Sequence, residues 1–153
     1  MKRVVILSDT HGNFSAIEKL LPIMEEADMV FHLGDHQSDI LAYQKELKGK
    51  IYSVKGNCDG GGDEQVLTIE GVKVLLTHGN RYNVKQSLYK LQLRAEELGV
   101  DVVFFGHTHS AVETETNKIK YVNPGAMSGF FEKSYCYAVF YNGTLTTKIV
   151  PIN

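Results

Sequence analysis

The chain has 153 residues, 43% of them hydrophobic and 22% charged, which is the composition of an ordinary globular protein long enough to bury a real core. A formal net charge of −2 gives no bulk attraction to nucleic acid or to an anionic membrane, and no apolar stretch approaches the length of a membrane span. The opening "MKRVVILSD" sets basic residues before an apolar run, but residues 4–7 are too short a run for a secretion signal, and the two cysteines, Cys58 and Cys136, form no disulfide framework. The expectation is one domain over residues 1–153, cytoplasmic, with free thiols.

In chain order, "RVVILS" (3–8) is a β-branched run that predicts a buried strand. Ala16, Ile17, Leu20, Leu21 and Met24 recur at helical spacing and predict a helix, kinked at Pro22. "MVFHLG" (29–34) predicts a second strand. Ser38 and Asp39 are candidate caps for a short helix running to Leu47, and "IYSVKG" (51–56) predicts a third strand. This β-α-β-α-β half argues for a parallel sheet with helices on its face. Next, "QVLTI" and "VKVLLTH" flank Glu70-Gly71, a hairpin signal. Val84, Leu88, Leu91, Ala95 and Leu98 mark the inner face of a helix that Gly99 ends. "DVVFFG" predicts a further strand, and hairpins follow around Asn117-Lys118 and Asn142-Gly143. The fold class is α/β, with a hairpin-rich C-terminal half.

Polar residues interrupt this pattern at five strand ends, most of them beside a glycine. They are Asp9 and His11, then Asp35 and His36, then Asn57, Cys58 and Asp59, then His78, and finally His107 and His109. In open α/β sheets that edge is where sites are built, and glycine leaves the backbone room to turn there. Polar loop residues and helix caps are the bland alternative, but five such clusters in succession argue against it. Asp9, His11, Asp35, Asn57, His78, His107 and His109 offer oxygen and imidazole nitrogen, a donor set for borderline to hard divalent ions such as Mn, Fe, Co, Ni or Zn. One carboxylate can bridge two ions about 3.5–4 Å apart, and the i, i+2 histidines of "GHTH" could reach different ions of such a pair from an extended segment.

With these motifs in place the chain resembles the calcineurin-like metallophosphoesterases, whose pattern is D-x-H, G-D, G-N-H-[DE], H and G-H-x-H. Here it reads Asp9-Thr10-His11, Gly34-Asp35, Gly56-Asn57-Cys58-Asp59, His78-Gly79 and Gly106-His107-Thr108-His109, and "NPGA" (123–126) is similar to a segment of the small bacterial and archaeal phosphodiesterases of that family. The resemblance implies a four-layer αββα sandwich, two mixed sheets packed face to face between helices. It implies two divalent ions, Mn foremost, one held by Asp9, His11 and His109, the other by Asn57, His78 and His107, with Asp35 bridging. It also implies attack on a small phosphodiester by a hydroxide held between them. Asp35, Asn57, Cys58 and Asp59 are the candidate catalytic residues. Many larger members carry histidine where this chain has Cys58, and Asp59 would orient that histidine. Cysteine there fits the small subgroup and removes the usual acid for poor leaving groups. Cys58 is not read as a nucleophile: Asp59 beside it opposes thiolate formation.

Three functions stay open: a phosphodiesterase, a non-catalytic metal-binding interaction module like the retromer subunit that shares the fold, and a nuclease, which the net acidity and the lack of a basic stretch argue against. A homodimer or homotetramer is expected from the small relatives and from the tyrosine-rich tail, Tyr135, Tyr137, Phe140 and Tyr141. His32 and Cys136 read as core residues. His36 and Arg81 are open between substrate contact and exposed surface, and "GGG" (60–62) between a rim of the site and a plain loop.

Overall fold

A computed structural model of the chain describes residues 1–57, 59, 63–129 and 132–152. Among the described residues, ten strands form two five-stranded sheets. The first has the order β10-β9-β1-β2-β3 and contains β1 (Lys2–Leu7), β2 (Met29–His32), β3 (Ile51–Ser53), β9 (Lys133–Tyr141) and β10 (Thr144–Ile152). The second has the order β4-β5-β6-β8-β7 and contains β4 (Glu64–Ile69), β5 (Val72–Thr77), β6 (Val102–Phe104), β7 (Val112–Thr116) and β8 (Ile119–Asn123). In the first sheet β1, β2 and β3 run parallel and β9 returns antiparallel to β1. In the second, β5, β6 and β8 run parallel between two antiparallel edge strands. Both sheets are therefore mixed, as expected.

Side chains alternate across each strand, and that alternation creates the layers. Val4, Ile6 and Phe31 point from the first sheet toward Val74, Leu76, Val102 and Phe104 of the second, making the central core. Val5, Leu7 and Val30 point the other way, onto helix α1 (Phe14–Glu26), through Ala16, Ile17, Leu20 and Met24. Leu75, Val103, Phe105 and Tyr121 cover the far side of the second sheet and meet Leu91 and Ala95 of α3 (Tyr89–Leu98). The result is the four-layer sandwich. Phe31 and Phe104 meet across the sheet interface with ring centroids 6.2 Å apart.

The three expected hairpins all close through two-residue loops with positive φ at both positions, the type I′ requirement. The angles are 51° and 82° at Glu70-Gly71, 52° and 67° at Asn117-Lys118, and 48° and 81° at Asn142-Gly143. Gly99 ends α3 in the left-handed region as expected.

Three details differ from the sequence reading. Helix α1 runs unbroken through Pro22, which sits on the exposed face, where the carbonyl it leaves without a donor can meet solvent. The second helix, α2 (Gln37–Leu41), is shorter than expected, and residues 42–50 continue as turns that still bury Leu47. Its cap position is His36, whose side chain makes no capping bond. In the tail, Tyr135 and Phe140 are core residues and Tyr137 is half-buried, while Tyr141 is 59% exposed, so little of that tyrosine set faces outward. Cys136 is buried, as expected, and burial pushes its thiol up to about 12. Among the described residues no helix is long and apolar enough to cross a membrane.

His32 is fully buried at the end of β2. Burial holds its imidazole down to about 4 from an ordinary 6.5, against the pull of Asp59 and Asp39 in the other direction. Folded His32 is then neutral while the unfolded chain takes up its proton near the ordinary value. The unfolded state binds more protons throughout that window, so stability falls as pH drops from about 6.5 toward about 4. In chelator, the melting temperature should decline over this range, and His32→Gln should flatten the decline. An unchanged slope in that variant would assign the loss to other groups.

Candidate metal centre

The parallel strands of both sheets direct their C-terminal ends to one edge of the sandwich, and the polar clusters lie on the loops that leave it. Asp9 and His11 follow β1, Asp35 follows β2, Asn57 follows β3, His78 follows β5, and His107 and His109 follow β6. Their ligand atoms fall into two groups, each within 4.8 Å of one another: Asp9, His11, Asp35 and His109 in one, Asp35, His78 and His107 in the other. Asn57 joins the second group, its Oδ1 3.1 Å from His78 Nε2. Asp35 is common to both groups.

The proton positions make these groups fit a cation. His78 Nδ1 lies 2.8 Å from the Leu33 carbonyl, which can only accept, so Nδ1 carries the hydrogen and a neutral ring turns a lone pair outward at Nε2. That lone pair faces Asp35 Oδ2 at 3.6 Å, Asp9 Oδ1 at 3.9 Å and His107 Nδ1 at 3.1 Å. His11 Nε2 is buried without a hydrogen-bond partner among the described residues, 3.5 Å from Asp35 Oδ2 and 3.9 Å from Asp9 Oδ1. Asp9 Oδ2 accepts from Ser8 Oγ at 2.6 Å and from the His107 backbone N–H at 3.2 Å, which leaves Oδ1 directed into the site, 3.1 Å from His109 Nε2. Burial, then the neighbouring His78, keep His107 below the ordinary imidazole range and so favour the neutral, ligating form. The Asn57 amide can sit either way round. Turned over, its nitrogen would donate to Asp35 and His78, whereas Oδ1 inward is the orientation of an oxygen ligand. Acceptors converging on one another in this way are what a divalent ion resolves.

Tight backbone geometry brings the ligands together. Of the eleven non-glycine residues with positive φ among the described ones, six lie here: Asp9, His11, Asp35, His36, His107 and His109. Such conformations cost energy and concentrate at functional sites. They also correct one expectation. Residues 107–109 are not an extended segment on which alternate side chains point the same way, because both histidines are left-handed. His107 and His109 therefore diverge into different groups. Glycines permit the close approach: a Cβ on Gly56 would lie 2.1 Å from Asp35 Oδ1, and one on Gly106 would lie 2.2 Å from Ser8 Oγ.

Of the remaining candidates, Cys58 and residues 60–62 lie outside the described residues. The Asp59 carboxylate accepts backbone N–H groups, from His36 at 2.9 Å and Gln37 at 3.3 Å on one oxygen and from Gly56 at 3.0 Å on the other. It thus caps α2, the place the sequence suggested for Ser38 and Asp39. His36 packs its ring 4.8 Å from that of His11, at the mouth of the site. Arg81 pairs with Asp63 at 2.9 Å and its side chain is 61% exposed, which favours the surface reading. Two supports escaped the sequence reading. Buried Asn123, which opens "NPGA", donates to the Gly106 carbonyl at 3.1 Å and to Thr108 Oγ1 at 2.9 Å, bracing the loop that carries His107 and His109. Ser128 donates to the Asp9 carbonyl at 2.8 Å. The similarity of "NPGA" to the small relatives was the only signal for the first, and there was none for the second.

Fold and site define a hydrolase of the metallophosphoesterase class. The chain belongs to the calcineurin-like phosphoesterase superfamily, whose domain description matches residues 1–144. It is similar to a probable metallophosphoesterase of Bacillus subtilis, YsnB, at 38% identity over 81% of this chain and 74% of that one. A phosphodiesterase of Methanocaldococcus jannaschii, MJ0936, is 29% identical over 84% of this chain and 86% of its own. Among solved structures, Vps29 of Chaetomium thermophilum shares the fold with a TM-score of 0.80 at 18% identity, covering 99% of this chain and 97% of that one. The family is metal-dependent, and the Asp/His cluster is able to hold metals.

The crowding at Gly56 generates a sharp expectation. Gly56→Ala must push its methyl against the Asp35 carboxylate or the adjoining backbone. It should weaken uptake of divalent ions at least tenfold and cost on the order of 1–3 kcal/mol of stability, measured by calorimetric titration and thermal unfolding. An alanine variant that binds ions as well as the parent would show that the loops have slack.

Proposed function

We propose that the chain is a phosphodiesterase that uses two divalent ions, Mn²⁺ foremost, on a small phosphodiester substrate. The observation that carries this reading is Asp35, the one carboxylate common to both ligand groups. Asp9, His11 and His109 would hold one ion and Asn57, His78 and His107 the other. When bound, such a pair supplies Lewis acidity toward phosphoryl oxygens and lowers the pKa of water, which is what in-line hydrolysis of a diester requires. The chain's own residues do the positioning. The Leu33 carbonyl fixes the tautomer of His78, and Ser8 and the His107 amide fix the rotamer of Asp9. Cys58 is a weak proton donor where larger relatives have histidine, and Asp59 is engaged with three backbone amides, so a poor leaving group finds little acid help here. This favours diesters over monoesters. The likeness to Vps29 makes a protein-binding role the second reading. The full set of seven ligand types favours catalysis.

Purified protein should take up close to two ions per chain, and Asp35→Asn should lose most of the activity on an aryl phosphodiester. Full activity in a chelator-stripped Asp35→Asn protein would sink the mechanism. With the same metal, the diester should outrun the matching monoester, and the reverse order would point to an acid other than residue 58, His36 first. Cys58→Ser should keep both ions and diesterase activity within about tenfold, a barrier change near 1.4 kcal/mol. A variant that holds both ions yet is inert would make the thiol a participant.

A further inference from the structure

Three polar side chains behind the site have no part in the reading above, yet they bond to one another and to both of the loops that supply Asp9, His11 and Asp35. Thr10 sits between two of those ligands and is fully buried. Its Oγ1 lies 3.0 Å from His32 Nε2 and 2.7 Å from Asp39 Oδ2, and 3.3 Å from the His36 carbonyl. The Gly34 backbone N–H donates to His32 Nδ1 at 3.1 Å, and the Gly12 backbone N–H donates to Asp39 Oδ2 at 2.7 Å.

The protons can be assigned. Because Gly34 donates to Nδ1, that nitrogen is the acceptor, and the neutral ring carries its hydrogen on Nε2. His32 Nε2–H then donates to Thr10 Oγ1. The single hydroxyl hydrogen of Thr10 goes to the Asp39 carboxylate, the nearer and charged acceptor. The bonds therefore run in one direction, from Gly34 through His32 and Thr10 to Asp39, with Gly12 donating to the same Asp39 oxygen. Gly34 immediately precedes Asp35, and Gly12 immediately follows His11.

We propose that His32, Thr10 and Asp39 are positioning residues, a hydrogen-bonded strut that sets the placement of Asp9 and His11 relative to Asp35. The inference rests on the metal-centre reading. A satisfied core histidine would need partners but no particular ones, whereas every partner here belongs to a ligand-bearing loop or to the helix that follows one. The two loops also share one main-chain bond, Asp9 N–H to the Gly34 carbonyl at 3.0 Å. That bond fixes their separation at one point. The strut adds a second point, on the far side of the peptide between Asp9 and His11. Two points are needed because Asp9, His11 and Asp35 all hold left-handed backbone that no strand ladder supports.

The test is Thr10→Val, which keeps the side-chain shape and removes the hydroxyl, with Thr10→Ser as the conservative partner. Mn²⁺ affinity is read by electron paramagnetic resonance of the free ion, and folding by circular dichroism. Thr10→Val should bind Mn²⁺ about ten- to a hundredfold more weakly, while Thr10→Ser stays within about threefold of the parent. His32→Asn keeps an acceptor for Gly34 but cannot reach Thr10, and it carries the same expectation should Thr10→Val fail to fold. A folded Thr10→Val or His32→Asn protein with parental Mn²⁺ affinity and only a lower melting temperature would make the strut ordinary core structure and overturn the inference. A parent chain that takes up no Mn²⁺ would overturn the metal-centre reading and this inference together.

Discussion

The mutual repulsion of the ligand atoms is the constraint on which the rest of this structure depends. Asp9 and Asp35 bring two carboxylates within 4.8 Å of each other, and at an effective dielectric of about 20 two full charges at that distance repel by roughly 3 kcal/mol. Imidazole lone pairs are turned into the same space. Such a cluster does not assemble by itself, and the surroundings are arranged to hold it. Ser8 and the His107 amide restrain one oxygen of Asp9, the Leu33 carbonyl restrains His78, and Asn123 braces the loop of His107 and His109. A divalent cation held there would convert this unfavourable arrangement into a favourable one.

The replacement at position 58 gains meaning from its neighbour. In a chain with histidine there, the following carboxylate would orient the ring. Here both oxygens of Asp59 are occupied by the backbone amides of His36, Gln37 and Gly56, tying the loop after β3 to the start of α2. The carboxylate has a task in the scaffold itself, and that task does not depend on what residue precedes it.

Much of this was legible in the sequence because it is written in short-range signals. The unbroken apolar runs of "RVVILS" and "DVVFFG" mark strands buried on both faces, and Gly71, Asn142 and Gly143 are residues that tolerate the left-handed turn. The seven candidate ligands were legible because each follows a strand and most sit beside glycine. What was not legible joins residues far apart in the chain. Asp39 looked like a cap for its own helix but bonds to Thr10, and the actual cap comes from Asp59. Pro22 looked like a kink, yet a proline on the wet face of a packed helix removes one bond and no packing. The aromatic residues of β9 suggest one face left for a partner, but its pairing between β1 and β10 places Tyr135 and Phe140 inside.

The candidate ligands are divided between the sheets: Asp9, His11, Asp35 and Asn57 come from loops of the first, His78, His107 and His109 from loops of the second. The cluster therefore works as a gauge of how one sheet is registered on the other. A slip along the Phe31–Phe104 interface opens one half of the ligand set from the other without altering any residue in it. The hydrophobic filling of the sandwich thus helps set the spacing of the candidate ligands, and the tolerance of the cluster for error is that of close-packed side chains several residues away.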